Sequence, residues 1–343
     1  MSRDTAARTD FLVRPYRDDD EGEVLELLRG SLGGGPGGER PPEYFRWKHL
    51  ENPFGRSFMT VAERRHEIIG FRSLMRWRFA VGGETIEAVR PVDTATHPEH
   101  RGRGVFSTLT LAALDALRGE VDLVFNTPNP DSLRGYLKMG WRIVGEVPIS
   151  IRIRRPARFA AWKLRRGAAT LPPPPAVRAP TAGDVLGDGR GVAALLDRAE
   201  VTSWGLSTVR TADYLRWRFA EAPVLRYHAV AERRGSELTG LAFFRLRSEG
   251  PLWGFTVADV IVGPGDAATA RRLLASVRRS ADVAYVATSF PTGTAAAAAG
   301  SGLLSVPSPR RPTLVANPLR DGIRPDPLLR SSWALSAADV EVF

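Results

Sequence analysis

The chain contains no cysteine and, among 343 residues, only three lysines: Lys48, Lys138 and Lys163. Without a thiol there is no cysteine nucleophile, no disulfide scaffold and no cysteine-ligated zinc, and no metal site is expected. The sequence also lacks any run of roughly 18 uninterrupted apolar residues, so no membrane-spanning helix is expected. Its opening residues, Met1-Ser2-Arg3-Asp4, are polar and carry no apolar segment of a signal peptide, which points to a soluble cytoplasmic protein. At 43% hydrophobic and 25% charged residues the composition matches soluble globular averages. The length exceeds that of a usual single core, so two domains are the first expectation.

A net charge of +10 raises the question of a polyanionic partner. With so few lysines, the basicity is nearly all arginine, spread along the chain beside abundant Ala, Gly and Pro, as a GC-rich coding bias would leave it. The only dense cluster runs from Arg152 to Arg166, and no nucleic-acid-reading motif with interleaved aromatics accompanies it. A solvated edge or the rim of an anion site explains the cluster, and neither a nucleic-acid nor a membrane partner is expected.

Against this background one segment stands out: Arg101-Gly102-Arg103-Gly104-Val105-Phe106. Two glycines let backbone approach an anion closely, and the free amides of a following helix point at it with the helix dipole behind them. The flanks supply that helix. Ala88 to Thr96 reads as a β-branched strand, leading through His97-Pro98-Glu99-His100 into the loop. Phe106, Leu109, Ala113, Leu114 and Leu117 then keep helical spacing up to a stop at Gly119. A short buried strand, Val121 to Phe125, ends in Asn126-Thr127-Pro128-Asn129-Pro130-Asp131-Ser132, and a second helix from Leu133 to Met139 closes at Gly140-Trp141. Asn-Pro-Asp-Ser is also an ordinary helix-capping turn, and the two readings are compatible.

This order of strand, glycine loop, helix, strand, Asn/Ser turn and tyrosine-bearing helix resembles the GNAT acyltransferase superfamily. Arg101-x-x-Gly104, Asn129-x-x-Ser132 and Tyr136-Leu137-Lys138-Met139-Gly140-Trp141 carry the resemblance. It implies that the amides of Arg101, Gly102, Arg103, Gly104, Val105 and Phe106 hold the pyrophosphate of acetyl-CoA or another acyl-CoA. Asn129 and Ser132 would position the cofactor, amides near Ala95, Thr96 and His97 would polarise the thioester carbonyl, and Tyr136 would protonate the leaving thiolate. Phe106 departs from the family pattern, which has Gly or Ala there, and its ring either narrows the acyl channel or turns into the core. The chemistry fits on its own terms: transfer to an amine needs an aligned carbonyl and a proton source for sulfur, and a phenol with a reference pKa near ~10 suits an alkyl thiolate. For a general base, Asp93 on the strand before the loop ranks ahead of His97, Glu99 and His100. The other reading of Asp93 is an ion pair with a nearby arginine, and a water relay is the alternative to a side-chain base.

Elsewhere, strands are expected at Phe11 to Arg14, Phe58 to Glu63, Ile68 to Trp77, Glu84 to Thr94, Trp141 to Glu146 and Val147 to Arg154, with a first helix from about Asp20 to Arg29. Leu32-Gly33-Gly34-Gly35-Pro36-Gly37-Gly38 is a flexible insertion, which the resemblance makes a mobile lid over the acceptor; an unstructured surface loop is the alternative reading. Ala168 to Gly191, with Leu171-Pro172-Pro173-Pro174-Pro175, reads as a semi-rigid linker. Beyond it the first half repeats at an offset of about 170 residues: Tyr214-Leu215-Arg216-Trp217-Arg218 echoes Tyr44-Phe45-Arg46-Trp47-Lys48, and Val257-Ala258-Asp259 echoes Pro91-Val92-Asp93. The chemistry is not repeated, because Val262-Gly263-Pro264-Gly265-Asp266 replaces the Arg-Gly loop with a proline and a carboxylate.

The expected architecture is therefore α/β (α+β), with two tandem GNAT folds, each a mixed, mostly antiparallel twisted sheet flanked by helices. Residues 1–167 would form the catalytic domain, 168–191 the linker and 192–343 a degenerate copy that binds no CoA. The resemblance extends to tandem enzymes of this type, in which a C-terminal carboxylate assists catalysis. It makes the carboxylate of Phe343 a distant candidate base, with Trp333 to Phe343 returning as a strand. Trp47, Trp77, Trp204 and Trp217 line a pocket or, as is usual near domain contacts, fill a core. The expected activity is N-acyl transfer, most simply of acetyl, to the amine of a small molecule or peptide. A non-catalytic acyl-CoA-binding or sensing protein is the alternative, and a homodimer or an intrachain pseudo-dimer are both open.

Overall fold

The computed structural model describes residues 10–31, 40–164, 170–199, 204–291, 293–300, 305–307 and 311–340. The first half runs β1 (Leu12–Pro15), α1 (Glu21–Ser31), α2 (Pro42–His49), β2 (Phe58–Arg64), β3 (Glu67–Val81), β4 (Glu84–Thr96), α3 (Val105–Ala116), β5 (Leu123–Asn126), α4 (Pro130–Lys138) and β6 (Arg142–Glu146). Long β-branched and aromatic runs make β3 and β4 the spine of this half. Gly82 and Gly83 join them, both at positive φ, in the two-residue turn whose twist matches an antiparallel hairpin. α1 and α3 pack on this spine through Val24, Leu28, Leu109 and Ala113, which are all but fully buried.

The second half follows the same order. After β7 (Ser150–Ile153), α5 (Pro156–Leu164), α6 (Ala182–Leu186), α7 (Gly189–Arg198), β8 (Ser207–Thr208) and α8 (Ala212–Leu215) come β9 (His228–Arg234), β10 (Glu237–Glu249), β11 (Leu252–Val262), α9 (Ala267–Arg279), β12 (Tyr285–Thr288), α10 (Ala295–Gly300), β13 (Ser305–Pro307), β14 (Thr313–Pro318) and α11 (Ala337–Val340). In both sheets the strand after the long hairpin joins its neighbour in parallel, β4 with β5 and β11 with β12, and the other pairings are antiparallel. The mixed, mostly antiparallel sheets flanked by helices are those expected from the sequence.

Two strands change places. The first sheet is ordered β1-β2-β3-β4-β5-β14-β6, so β14 from the far end of the chain lies between β5 and β6. The second is ordered β13-β7-β12-β11-β10-β9, so β7 lies between β12 and β13. The segment Val147 to Arg154, expected to complete the first sheet, instead pairs Ile151 with Ala287 and Val306 of the second. Trp333 to Val340, expected to return as part of a strand, makes a single parallel bridge at Trp333 with Leu206 and continues as buried irregular chain into α11. The strand that does return is β14. The Phe343 carboxylate lies outside the described residues, as does the glycine-rich insertion.

The proline-rich stretch is fastened along its length. Trp253 Nε1 donates to the carbonyl of Pro172 at 2.8 Å, the Arg178 amide donates to Ser280, and Thr181 caps α6. α6 and the start of α7 fall inside the span read as a linker.

The two halves meet on a pair of tryptophans. Trp47 and Trp217 stack with centroids 4.9 Å apart and planes at 21°. Each indole Nε1 donates to the other's backbone carbonyl, both at 2.8 Å. Such reciprocity defines a local twofold axis relating α2 to the α8 region, the relation the sequence offset requires. Trp77 joins the same core, which contains apolar residues of both halves, so three of the four tryptophans fill core and only Trp204 is partly exposed. Trp47→Ala and Trp217→Ala are each expected to lower unfolding free energy by about 3–5 kcal/mol in urea titrations. The double variant should lose less than the sum, because either change removes the shared stack. Fully additive losses would contradict the reciprocal pairing.

Candidate functional site

The site begins where β4 and β5 part. They pair at Ala88 with Leu123 and at Val89 with Val124, and beyond that register β5 pairs only with β14 on its other side. The edge of β4 from Arg90 onward therefore faces an open wedge. A β-bulge between Val92 and Ala95 widens it, with Asp93 in the left-handed region at φ 43°. The wedge forms a cleft of about 320 Å³, with Asp93, Thr94, Thr96, Asn129, Ser132 and Tyr136 among its walls. A second cleft of about 310 Å³ lies against Arg101, Gly102, Gly104, Val105, Phe106 and Lys138. Thr96 and Phe106 belong to both, so the two clefts adjoin.

The glycine loop has the predicted form. Gly102 and Gly104 take φ of 76° and 80°, which only glycine adopts without strain. Gly104 is the N-cap of α3, and no side chain caps this helix end. Its first amides thus point outward, with Arg101 and Lys138 beside them, an arrangement suited to a diphosphate. In the second half, the Asp266 carboxylate occupies the equivalent cap and accepts from the Thr269 amide at 2.9 Å. The wedge there, between Asp259 and Phe290, retains only about 40 Å³.

The structure brings the predicted residues together with different duties. Asn129 caps α4, its Oδ1 accepting from the Ser132 amide at 2.9 Å and from Ser132 Oγ at 2.8 Å, while both residues still line the cleft. The His97 amide is spent on the Ile69 carbonyl at 2.9 Å and cannot polarise a thioester. By strand alternation the neighbouring Thr96 amide faces the opposite edge, toward the wedge. Ala95 and Val105 are buried in core; by the same alternation the Ala95 amide faces β3, and only the Val105 backbone is available. Arg103 is exposed. Tyr136 is 4% exposed, and its phenol oxygen accepts from Arg72 Nη1 at 2.9 Å. Phe106 resolves toward the α3–α4 contact: its ring meets Tyr136 edge-on at 5.5 Å. Gly135 makes this fit, since a Cβ there would lie 2.9 Å from the Phe106 ring.

Asp93 pairs with an arginine, one of the two readings open from the sequence, and also with Lys48 and His49, which were not expected. Arg40 donates to one carboxylate oxygen, and Lys48 Nζ and His49 Nε2 reach the other at 2.7 and 3.1 Å. Burial would push the Asp93 carboxyl up, but Lys48, the hydrogen bond from His49 and Arg40 outweigh it and hold it well below the usual carboxylate range. A carboxylate held this firmly is a poor proton acceptor, which argues against its expected role as general base. The pairing also recurs where there is no glycine loop: Arg210 contacts Asp259 at 2.6 and 3.1 Å in the second half. It fastens the bulge of the fourth strand in both copies. Burial lowers the His49 pKa despite Asp93, so its imidazole is neutral, with Nδ1 at 3.0 Å from both Ser57 Oγ and Ser73 Oγ. Arg90, brought down to about 10 by burial, holds the carbonyls of Asp339 and Val340 in α11.

A larger cavity, about 870 Å³, opens on the second sheet beside Arg245, Trp253 and Val340. No glycine is among its lining residues.

The fold is that of an acetyltransferase. The structure is similar to a GCN5-related N-acetyltransferase from Anabaena variabilis (TM-score 0.64, 13% identity, 90% of this chain and 73% of that one). It is also similar to a probable N-acyltransferase from Enterococcus faecalis (TM-score 0.61, 14% identity, 90% and 73%) and to Eis1 from Mycobacterium abscessus (TM-score 0.57, 16% identity, 90% and 73%). No curated protein matches the chain in sequence. Residues 12–144 match the family model of the acetyltransferase (GNAT) domain.

Two outcomes follow from this geometry. Phe106→Ala enlarges the wall common to both clefts, and thiol-release assays should show kcat/KM for butyryl-CoA relative to acetyl-CoA rising about tenfold. An unchanged ratio would place the acyl group elsewhere. His49 is neutral in the fold, so below about pH 6.5 the unfolded chain binds a proton that the folded chain resists. That contribution is absent above this value and destabilises increasingly as pH falls toward the depressed folded pKa. His49→Gln should flatten the decline of Tm between about pH 6.5 and 5, and an undiminished slope would exclude His49 as its source.

Proposed function

We propose that the protein transfers an acyl group, most simply acetyl, from acyl-CoA to the amine of a small molecule or peptide by direct attack. The observation that carries this reading is the pairing of an uncapped, glycine-led helix end with an open wedge beside Tyr136 in one half, and the loss of both features in the other. The amides from Gly102 to Phe106, with Arg101 and Lys138, would hold the diphosphate, and bound acyl-CoA supplies the thioester. The Thr96 amide is aimed to polarise a carbonyl in the wedge. Tyr136 donates its proton to the departing sulfur, for which a phenol is well matched. Asp93 serves as the clamp of the bulge, and the amine loses its proton to water. The first half, residues 1–167, is thus the working copy, and 192–343 the copy that supports it, in a cytoplasmic protein with one CoA site per chain.

Mass spectrometry of the purified protein should reveal a co-purifying acyl-CoA, and a panel of amines should then be screened by thiol release. Tyr136→Phe should leave CoA affinity within about twofold and lower turnover roughly 10²-fold. A protein that binds acyl-CoA but releases no thiol with any amine is a sensor, and unchanged turnover in Tyr136→Phe removes the tyrosine from the mechanism.

A further inference from the structure

Arg72 has no part in the reaction as described above, yet it touches both walls of the wedge. It lies on β3, fully buried. Its Nη1 bears two hydrogens and has two acceptors, Thr94 Oγ1 at 2.7 Å and Tyr136 Oη at 2.9 Å. Nε and Nη2 are buried with no hydrogen-bond partner among the described residues. The guanidinium carbon lies 5.3 Å from the ring centre of Tyr136 and 5.5 Å from that of Phe106. The residue is therefore a buried cation whose hydrogen-bond partners are both neutral hydroxyls. Uncompensated buried charge is costly and is retained where something makes use of it.

Its effect on Tyr136 follows from hydrogen-bond direction. Arginine only donates, so the Arg72 bond takes a lone pair of the phenol and leaves the phenolic hydrogen uncommitted. No acceptor for that hydrogen is present among the described residues, and Tyr136 lines the cleft. The same contact places a positive charge against the oxygen that becomes negative when the proton leaves. The second half lacks the pair. The residue in register with Arg72 is Ala242, buried in an apolar core, and α10, in the place of α4, is Ala-Ala-Ala-Ala-Ala-Gly.

The geometry points to Arg72 as the positioning residue of the proton donor: it aims the Tyr136 hydroxyl into the wedge and stabilises the phenolate that donation leaves behind. This rests on the acyl-transfer reading above. In the step concerned, the amine nitrogen bonds to the thioester carbon, the carbon–sulfur bond breaks, and sulfur takes the Tyr136 proton. The proton lost by the nitrogen returns through water to the phenolate. Arg72 keeps its own protons throughout and acts only by charge and direction.

The test is a double-variant cycle on the full chain, using thiol release from acetyl-CoA with a responding amine, or with water where none responds. CoA affinity is measured alongside by calorimetry. Arg72→Met should lower kcat about 30-fold while KM for acetyl-CoA and the Kd for CoA stay within about twofold. Arg72→Lys, which retains a charged donor, should recover part of the loss. Arg72→Met combined with Tyr136→Phe should be no slower than Tyr136→Phe alone, because both changes act on one proton. Arg72→Gln keeps a donor for Thr94 without the charge and serves the same comparison if Arg72→Met does not fold. Wild-type turnover in these variants, or losses that multiply with Tyr136→Phe, would overturn the assignment and leave Arg72 as a packing residue. Wild-type turnover in Tyr136→Phe itself would remove the donor and, with it, this inference.

Discussion

The molecule is organised around the reciprocal contact of Trp47 and Trp217. Each indole N–H would be an unpaired donor in an apolar core were the other backbone carbonyl not opposite it, so the two helices can approach in only one relation. The contact fixes more than the interface. In α2, Trp47 is followed directly by Lys48 and His49, whose side chains close on Asp93. The turn of helix that lies on the axis thus also holds the strand that borders the wedge, and the geometry of the site depends on the contact between the halves.

The two halves share some features and differ in others, and the contrast separates framework from candidate chemistry. The arginine–aspartate pair on the fourth strand is kept in each, as Arg40 with Asp93 and Arg210 with Asp259. What differs is what bears on a ligand: an uncapped glycine end against one filled by Asp266, an open wedge against a nearly closed one, and the Arg72–Tyr136 pair against alanine. In the second half the corresponding helix end is satisfied by its own carboxylate, Asp266.

Much of this was legible in the sequence because its signals are local. Glycines that need positive φ, helical spacing from Phe106 to Leu117, and a capping Asn-Pro-Asp-Ser all act within a few residues and survive into the fold. The repeat was legible from the tryptophan-bearing segments. The exchange of β7 and β14 was not, because β-branched strands such as Ser150–Ile153 and Thr313–Pro318 present similar faces, and nothing within either says which sheet will pair with it. The cation cluster around Asp93 comes from α2 and from Arg40, brought there only by tertiary packing. Arg72 did leave a trace: it is the single charge in the mostly apolar stretch from Ile68 to Leu74, where a buried arginine needs a reason. Phe106 was left with two orientations, and the space beside Gly135, on another helix, decides between them.

The exchanged strands bear on how the protein comes to be made. The sheet that carries the glycine loop is encoded first, yet β5 and β6 are joined only by β14, which is synthesised after almost the whole second half. On the ribosome the first sheet waits with an open gap, while β7 waits in turn for β12. Neither half can therefore mature as an independent unit, and assembly of the wedge is tied to completion of the second half.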